Sequence, residues 1–138
     1  MSRTAASYSM TWTRGATVED QFDYADAAGL PIDMTGYEAR MQVRTVAGRY
    51  GTTTASTLLL ELDTTDADPF LFIETPPDGT VPSRVRITIP PSDHAALNPS
   101  NAKKVKYAFA LEIYQDGPPE YVIPLVAGAI TVLGETTR

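Results

Sequence analysis

Tyr37-Glu38-Ala39-Arg40-Met41-Gln42-Val43-Arg44-Thr45 is the stretch whose alternation decides the fold. Successive side chains of an extended chain point to opposite faces. Tyr37, Ala39, Met41, Val43 and Thr45 therefore share one face, and Glu38, Arg40, Gln42 and Arg44 share the other. A segment with one apolar and one charged face is a strand whose sheet is covered on one side only, the signature of a β-sandwich layer.

Working outward, the same period recurs. Tyr8, Met10 and Trp12 alternate with Ser9 and Thr11, and Val18, Phe22 and Tyr24 alternate with Glu19, Gln21 and Asp23. Asp20 falls on the apolar face of that second strand, where an unpaired carboxylate is costly, so the reading places it near an exposed strand end or a bulge. Asp26-Ala27-Ala28-Gly29 and Asp33-Met34-Thr35-Gly36 are turns around the short extended piece Leu30-Pro31-Ile32. Val46–Ser56, glycine- and threonine-rich and without period, is an exposed loop expected to order against a partner chain.

Further on, Leu58, Leu59, Leu60 and Leu62 make Thr57–Asp63 nearly continuous in apolar residues, as in a central or doubly covered strand. Phe70–Thr75 and Ser83–Ile89 are further strands, and Ser92 caps a single helical turn over Asp93–Leu97. Lys103–Gln115 reads as the longest strand, with Val105, Tyr107, Phe109, Leu111 and Ile113 inward. Asp116-Gly117-Pro118-Pro119 then turns the chain into a returning strand, Tyr121–Val126, and Ala129–Leu133 closes the domain. Pro124, which lacks a ladder donor, calls for a free edge or a bulge. The whole is an all-β chain: one antiparallel β-sandwich, immunoglobulin-like or jelly-roll-like, of about eight or nine strands with one helical turn.

Composition narrows the function classes. A chain of 138 residues is one domain, able to bury a core of its own. Its 43% hydrophobic and 20% charged residues are those of a folded protein rather than a disordered tail. A formal charge of −6 repels a phosphate backbone, so no nucleic-acid partner is expected. With no cysteine, disulfides and thiolate chemistry are excluded. Neither a signal peptide nor the ~18-residue apolar run of a membrane span is visible, so synthesis in the cytoplasm and no membrane association are expected.

Catalytic chemistry has few candidates. Asp63-Thr64-Thr65-Asp66-Ala67-Asp68 has carboxylates for a hard cation but lacks the loop glycine and closing glutamate of a calcium loop, and reads as a solvated turn. His94, the single histidine, stands beside Asp93 with no glycine-flanked serine elbow elsewhere, and reads as a surface residue. Glu19, Asp23 and Asp26 form an acidic stripe that a wet strand face explains. No catalytic, cofactor or metal residue is therefore assigned, and the chain is not read as an enzyme. What stands out instead is Arg40 and Arg44 on one strand and Arg84 and Arg86 on another: two basic outer faces, solvated or offered to an acidic neighbour. Tyr50, Phe70 and Phe72 are the aromatics nearest to loops, and with the four arginines they form the candidate subunit-contact set.

Three parts of the chain together resemble a known family. They are Arg14-Gly15-Ala16-Thr17 leading to Phe22-Asp23-Tyr24; Gly29 through Tyr37 running into Met41-Gln42-Val43-Arg44; and Tyr107–Ile113 with Asp116-Gly117, Gly128 and the closing Glu135-Thr136-Thr137-Arg138. In these the chain resembles the small β-sandwich structural proteins of tailed bacteriophages, similar to modules at the amino terminus of baseplate and tail-fibre adaptor proteins. The resemblance implies a virion component in several symmetric copies, with copies of itself and other phage structural proteins as partners. It implies no cofactor. Nothing after the sandwich looks like a fibre shaft or receptor-binding tip. Two other classes fit a sandwich of this size: a capsid decoration, cement or neck protein, and a carbohydrate-binding module or small hydrolase.

If Met41 and Phe109 face the core, replacing either by Ala costs ~2–5 kcal/mol, through lost burial and a residual cavity. Urea unfolding midpoints measure this, and unchanged midpoints refute the assignment.

Overall fold

In the computed structural model the alternation of β3 (Glu38–Thr45) is realised, with Ala39, Met41 and Val43 wholly buried and Glu38, Arg40, Gln42 and Arg44 half-buried. The structure describes residues 6–45, 57–115 and 120–135. The Val46–Ser56 loop, including Tyr50, the Asp116–Pro119 turn and the last three residues lie outside them.

The other strands are β1 (Ala6–Thr13), β2 (Val18–Asp23), β4 (Leu58–Asp63), β5 (Leu71–Glu74), β6 (Arg84–Ile89), β7 (Lys104–Gln115) and β8 (Tyr121–Leu133). They form a five-stranded sheet in the order β1-β8-β7-β3-β4 and a three-stranded sheet in the order β2-β6-β5. One apolar cluster unites the inner faces. The larger sheet contributes Met10, Trp12, Met41, Leu62, Phe109, Leu111, Ile113, Ile130 and Val132, and the smaller one Val18, Leu71, Val85, Ile87 and Ile89. The fold is a β-sandwich, as the sequence implies.

Its pairing is not antiparallel throughout. β1 lies parallel to β8, from Ala6 opposite Val126 to Thr13 opposite Leu133. Because nearly the whole domain separates the two strands in sequence, no hairpin constrains their direction. A close approach makes the pairing possible: a Cβ on Gly128 would lie 1.7 Å from the Tyr8 carbonyl oxygen. Gly128 therefore does not interrupt the strand, as the sequence suggested. It lets Tyr121–Val126 and Ala129–Leu133 run together as β8, which at 13 residues exceeds the 12 of β7.

Pro124 is accommodated by a bulge. Leu111 pairs with Val126 and Glu112 with Pro124, which leaves Leu125 as an extra residue. Pro124 also precedes the stretch of β8 that β1 covers, so its missing N–H costs no ladder bond on that side. The extra residue switches the inward parity from Ile123 and Leu125 to Val126, Ile130 and Val132.

Further expectations are corrected. β4 is an edge strand rather than a central one, with Leu58 41% and Leu59 42% exposed. A register shift opposite Val43 and Arg44 makes Leu59 the unpaired residue, and Leu62 alone is fully buried. The helical turn is α1 (Pro91–His94), followed by a 3-10 turn (Ala95–Leu97), and Ser92 does not cap it: Pro90 occupies that position without a side-chain bond. His94 is buried, 1% exposed, under Trp12, and its Nε2 lies 2.7 Å from the Ala16 carbonyl oxygen, which accepts from it. Its position beside Asp93 on a short helical turn carried no sign of that burial.

Asp20 sits within β2 opposite Ile87, neither at the strand's end nor at a bulge. Burial pushes its carboxyl above the usual range, while the Trp12 indole N–H, which approaches without completing a hydrogen bond, acts in the opposite direction. Gly36, at φ +85°, closes the turn in which the Tyr37 N–H donates to the Met34 carbonyl at 3.0 Å and so aims β3 into the core.

Two outcomes test this arrangement. Gly128→Ala should detach β1 and cost about 3 kcal/mol through overpacking against backbone. Trp12, the single tryptophan, lies on β1, so its fluorescence reads the loss directly. Asp20→Asn should raise the urea midpoint at pH 7. A carboxyl whose folded pKa lies above its unfolded value favours folding only while protonated, and that contribution is lost as pH rises through the folded value. The gap between variant and parent should close towards about pH 3, where the carboxyl is protonated in both states.

Candidate functional site

The outer face of the five-stranded sheet carries the most developed surface chemistry, and Arg40 is its centre. β3 projects Arg40 outward between β4 and β7, and its Nη2 donates to Glu112 Oε2 at 2.6 Å, with Glu120 Oε1 at 3.8 Å. The guanidinium also lies over the Tyr114 ring, 4.4 Å from the centroid. Tyr114 reaches across β3, its hydroxyl 2.8 Å from both carboxylate oxygens of Asp63 on β4. Glu112 holds the Arg40 guanidinium still more firmly protonated than usual. Glu38 accepts from the Thr64 hydroxyl, and Glu61 from Gln42 Nε2 at 2.6 Å. Glu112 and Glu120 approach Arg40 directly, and Asp63, Glu38 and Glu61 stand on neighbouring positions of the same face, so among the described residues this end is negative.

The opposite end is positive. Lys104 and Lys106 stand exposed on the outer face of β7, and Arg44 lies at the level of Ala108, its Nε donating to Gln42 Oε1 at 3.1 Å. Between the ends the side chains are short. Ala108 pairs with Ala129 and Ala110 with Ala127 across β7 and β8, and β1 adds Ser9 and Ser7 beside them.

Arg84 and Arg86 lie on the other side of the sandwich, on the outer face of the three-stranded sheet, because β6 belongs to that sheet. Both meet carboxylates of neighbouring strands. Arg84 grips Asp23 through Nε at 2.7 Å and Nη2 at 3.2 Å, which holds the Asp23 carboxyl below its usual range. Arg86 Nε lies 3.1 Å from Glu74 Oε2, its Nη1 donates to Thr88, and its guanidinium covers the Phe72 ring at 4.4 Å. The four arginines therefore do not form one basic surface. Phe72 is a strand residue on the outer face of β5, and Phe70 packs against the core margin.

The remaining candidates are absorbed by local structure. Asp63 accepts from the Thr65 N–H and hydroxyl as well as from Tyr114, and Asp66 accepts from the Asp63 N–H. The Asp26 carboxylate accepts from the N–H groups of Ala28 and Leu30, which fixes the turn before Pro31. An open depression of about 400 Å³ beside β5 is lined by Met34, Tyr37, Glu38, Phe72 and Pro82 among others. Another, of about 430 Å³, is lined by Glu19, Asp20, Gln21, Arg86 and Thr88.

The sequence pointed to Arg40 and Arg44 but not to the Arg40 partners Glu112, Glu120 and Tyr114, nor to Asp63 behind Tyr114, which the tertiary fold brings together. Alanine pairs on two strands joined by a hairpin were the available signal for the flat centre.

No family model matches the chain, and no curated protein matches it. Among solved structures, one similar chain comes from work on "multimeric cell-adhesive interactions of VGSC beta subunits". It has a TM-score of 0.33 and 9% identity, covering 94% of this chain and 93% of that one. A likeness at that score carries no argument about function.

Proposed function

We propose that the chain is a structural docking module, a virion component of a tailed bacteriophage that binds other tail, baseplate or fibre proteins within a symmetric assembly. One observation carries the docking part: the outer face of the five-stranded sheet has exposed apolar side chains at both ends of β8, Val122 at 40% and Leu133 at 36%, around a flat alanine centre. Large exposed side chains framing a flat surface are a feature of protein contacts. The virion assignment is supported by the sequence resemblance alone.

Mass spectrometry of particles purified from a culture that produces the chain tests it. The expected result is a fixed copy number relative to the tail proteins. A chain found only in the particle-free fraction overturns the virion reading, and a copy number matching the shell subunits moves it to capsid decoration.

A further inference from the structure

The outer face of the five-stranded sheet is built to be complementary to itself. β7 runs along its middle, and residue 109 marks a centre about which opposite features are evenly spaced. One step away on either side stand Ala108 and Ala110, and the next outward positions are Lys106 and Glu112. On β8, which pairs with β7 in register, the same centre lies between Ala129 and Ala127, and Leu133 and Val122 lie beyond them at the two ends. On β3, Arg44 stands at the level of Ala108 and Gln42 at the level of Ala110. When the face is turned end over end onto a copy of itself, Lys106 comes to the position of Glu112, Leu133 to that of Val122, and Arg44 to that of the neutral Gln42.

The geometry points to a homodimer in which two copies stack these faces about a two-fold axis that lies in the interface and crosses β7 at residue 109. The proposal deepens the docking reading by naming one partner, a second copy of this chain, and rests on that reading only in taking the face as a protein contact. A two-fold in the interface plane reverses strand direction and leaves each strand over its own copy. Lys106 then meets Glu112 of the partner subunit, Leu133 meets the partner's Val122, and Ala108 meets the partner's Ala110. The excess of carboxylates around Arg40 is offset by the lysines that no carboxylate approaches within ion-pair distance among the described residues.

The flat centre matters for distance. Stacked sheets ordinarily sit about 10 Å apart, and alanines allow a closer approach without interdigitating long side chains. Five strands spaced about 4.8 Å apart and about 26 Å long present about 600 Å² per copy, which reaches the lower range of stable interfaces. Aligned sheets cross at about 30°, so the pairs that count most are those nearest residue 109, Ala108 with the partner's Ala110 and Lys106 with the partner's Glu112.

Sedimentation of the full chain from about 1 to about 300 μM should show a monomer–dimer equilibrium. Ala110→Arg, on an exposed site, should weaken it at least about tenfold, and Lys106→Glu should weaken it in the same direction by setting like charges together. Thermal unfolding of both variants at low concentration should match the parent, which separates lost docking from lost folding. The chain has no native cysteine, so cross-linking maps the contact cleanly. Mixed Ala108→Cys and Ala110→Cys chains should oxidise to heterodimers faster than either variant alone forms its own disulfide. A monomer at every concentration overturns the proposal, as does a dimer indifferent to Ala110→Arg or cross-linking without the mixed preference. Particle incorporation is read separately, so either result for the dimer leaves the virion test intact.

Discussion

One extra residue in β8 sets the terms for most of this structure. Leu125 has no counterpart on β7, and the bulge it makes shifts the strand's parity by one. Before it, Ile123 and Leu125 point inward; after it, Val126, Ile130 and Val132 do. Both halves of a 13-residue strand thereby deliver apolar side chains to one core, although their sequence patterns are out of phase. Without the shift, Ile130 and Val132 would face water, and Ala127 and Ala129 would leave holes opposite the smaller sheet. The same bulge decides what the outer surface is made of, since it turns Ala127, Ala129 and Leu133 outward.

β8 is also where the chain closes on itself. It pairs with its hairpin neighbour β7 on one side and with β1, from the far end of the chain, on the other. The parallel seam depends on Gly128, where any side chain would collide with the Tyr8 backbone. Arg14 and Glu135, directly beyond the two strands, are joined at 2.5 Å, and the Arg14 N–H donates to the Leu133 carbonyl at 2.9 Å. The ends of the described domain are therefore tied at one edge. At the other edge β4 leaves Leu58 and Leu59 exposed beside a bulge that interrupts its pairing.

Charge is distributed by the same register. Arg84 and Arg86 are matched to Asp23 and Glu74 on adjacent strands, so the smaller sheet's outer face is locally neutral. Exposed pairs of this kind add little stability, about 0–1 kcal/mol each, but they remove the arginines from the set of free contacts. On the larger sheet the matching is incomplete: Arg40 sits among several carboxylates while Lys104 and Lys106 stand apart, and the face acquires a positive and a negative end. That polarity, centred on β7, is what makes the surface complementary to its own copy.

Much of the fold was legible in the sequence, because burial on one face imposes a period of two that survives in the residue types. β3, β6 and β7 show it, and their inward residues Met41, Val43, Val85, Ile87, Leu111 and Ile113 are all buried. Pro124 likewise announced a bulge or free edge, since a residue without an N–H has few places in a ladder. Of the candidate site, Arg40 and Arg44 could be read as outward-facing, but their surroundings could not. Other features have no local sign: that β1 pairs in parallel with β8, that His94 is buried against Trp12, that β4 lies at an edge despite four leucines, and that Arg40 and Arg84 face opposite ways. The sequence by itself determined which side of each strand is apolar, because that is fixed by neighbours one and two residues away. Strand order, register and the charge pattern of each face were decided only by the tertiary structure, because they depend on which distant strand supplies the adjoining hydrogen bonds.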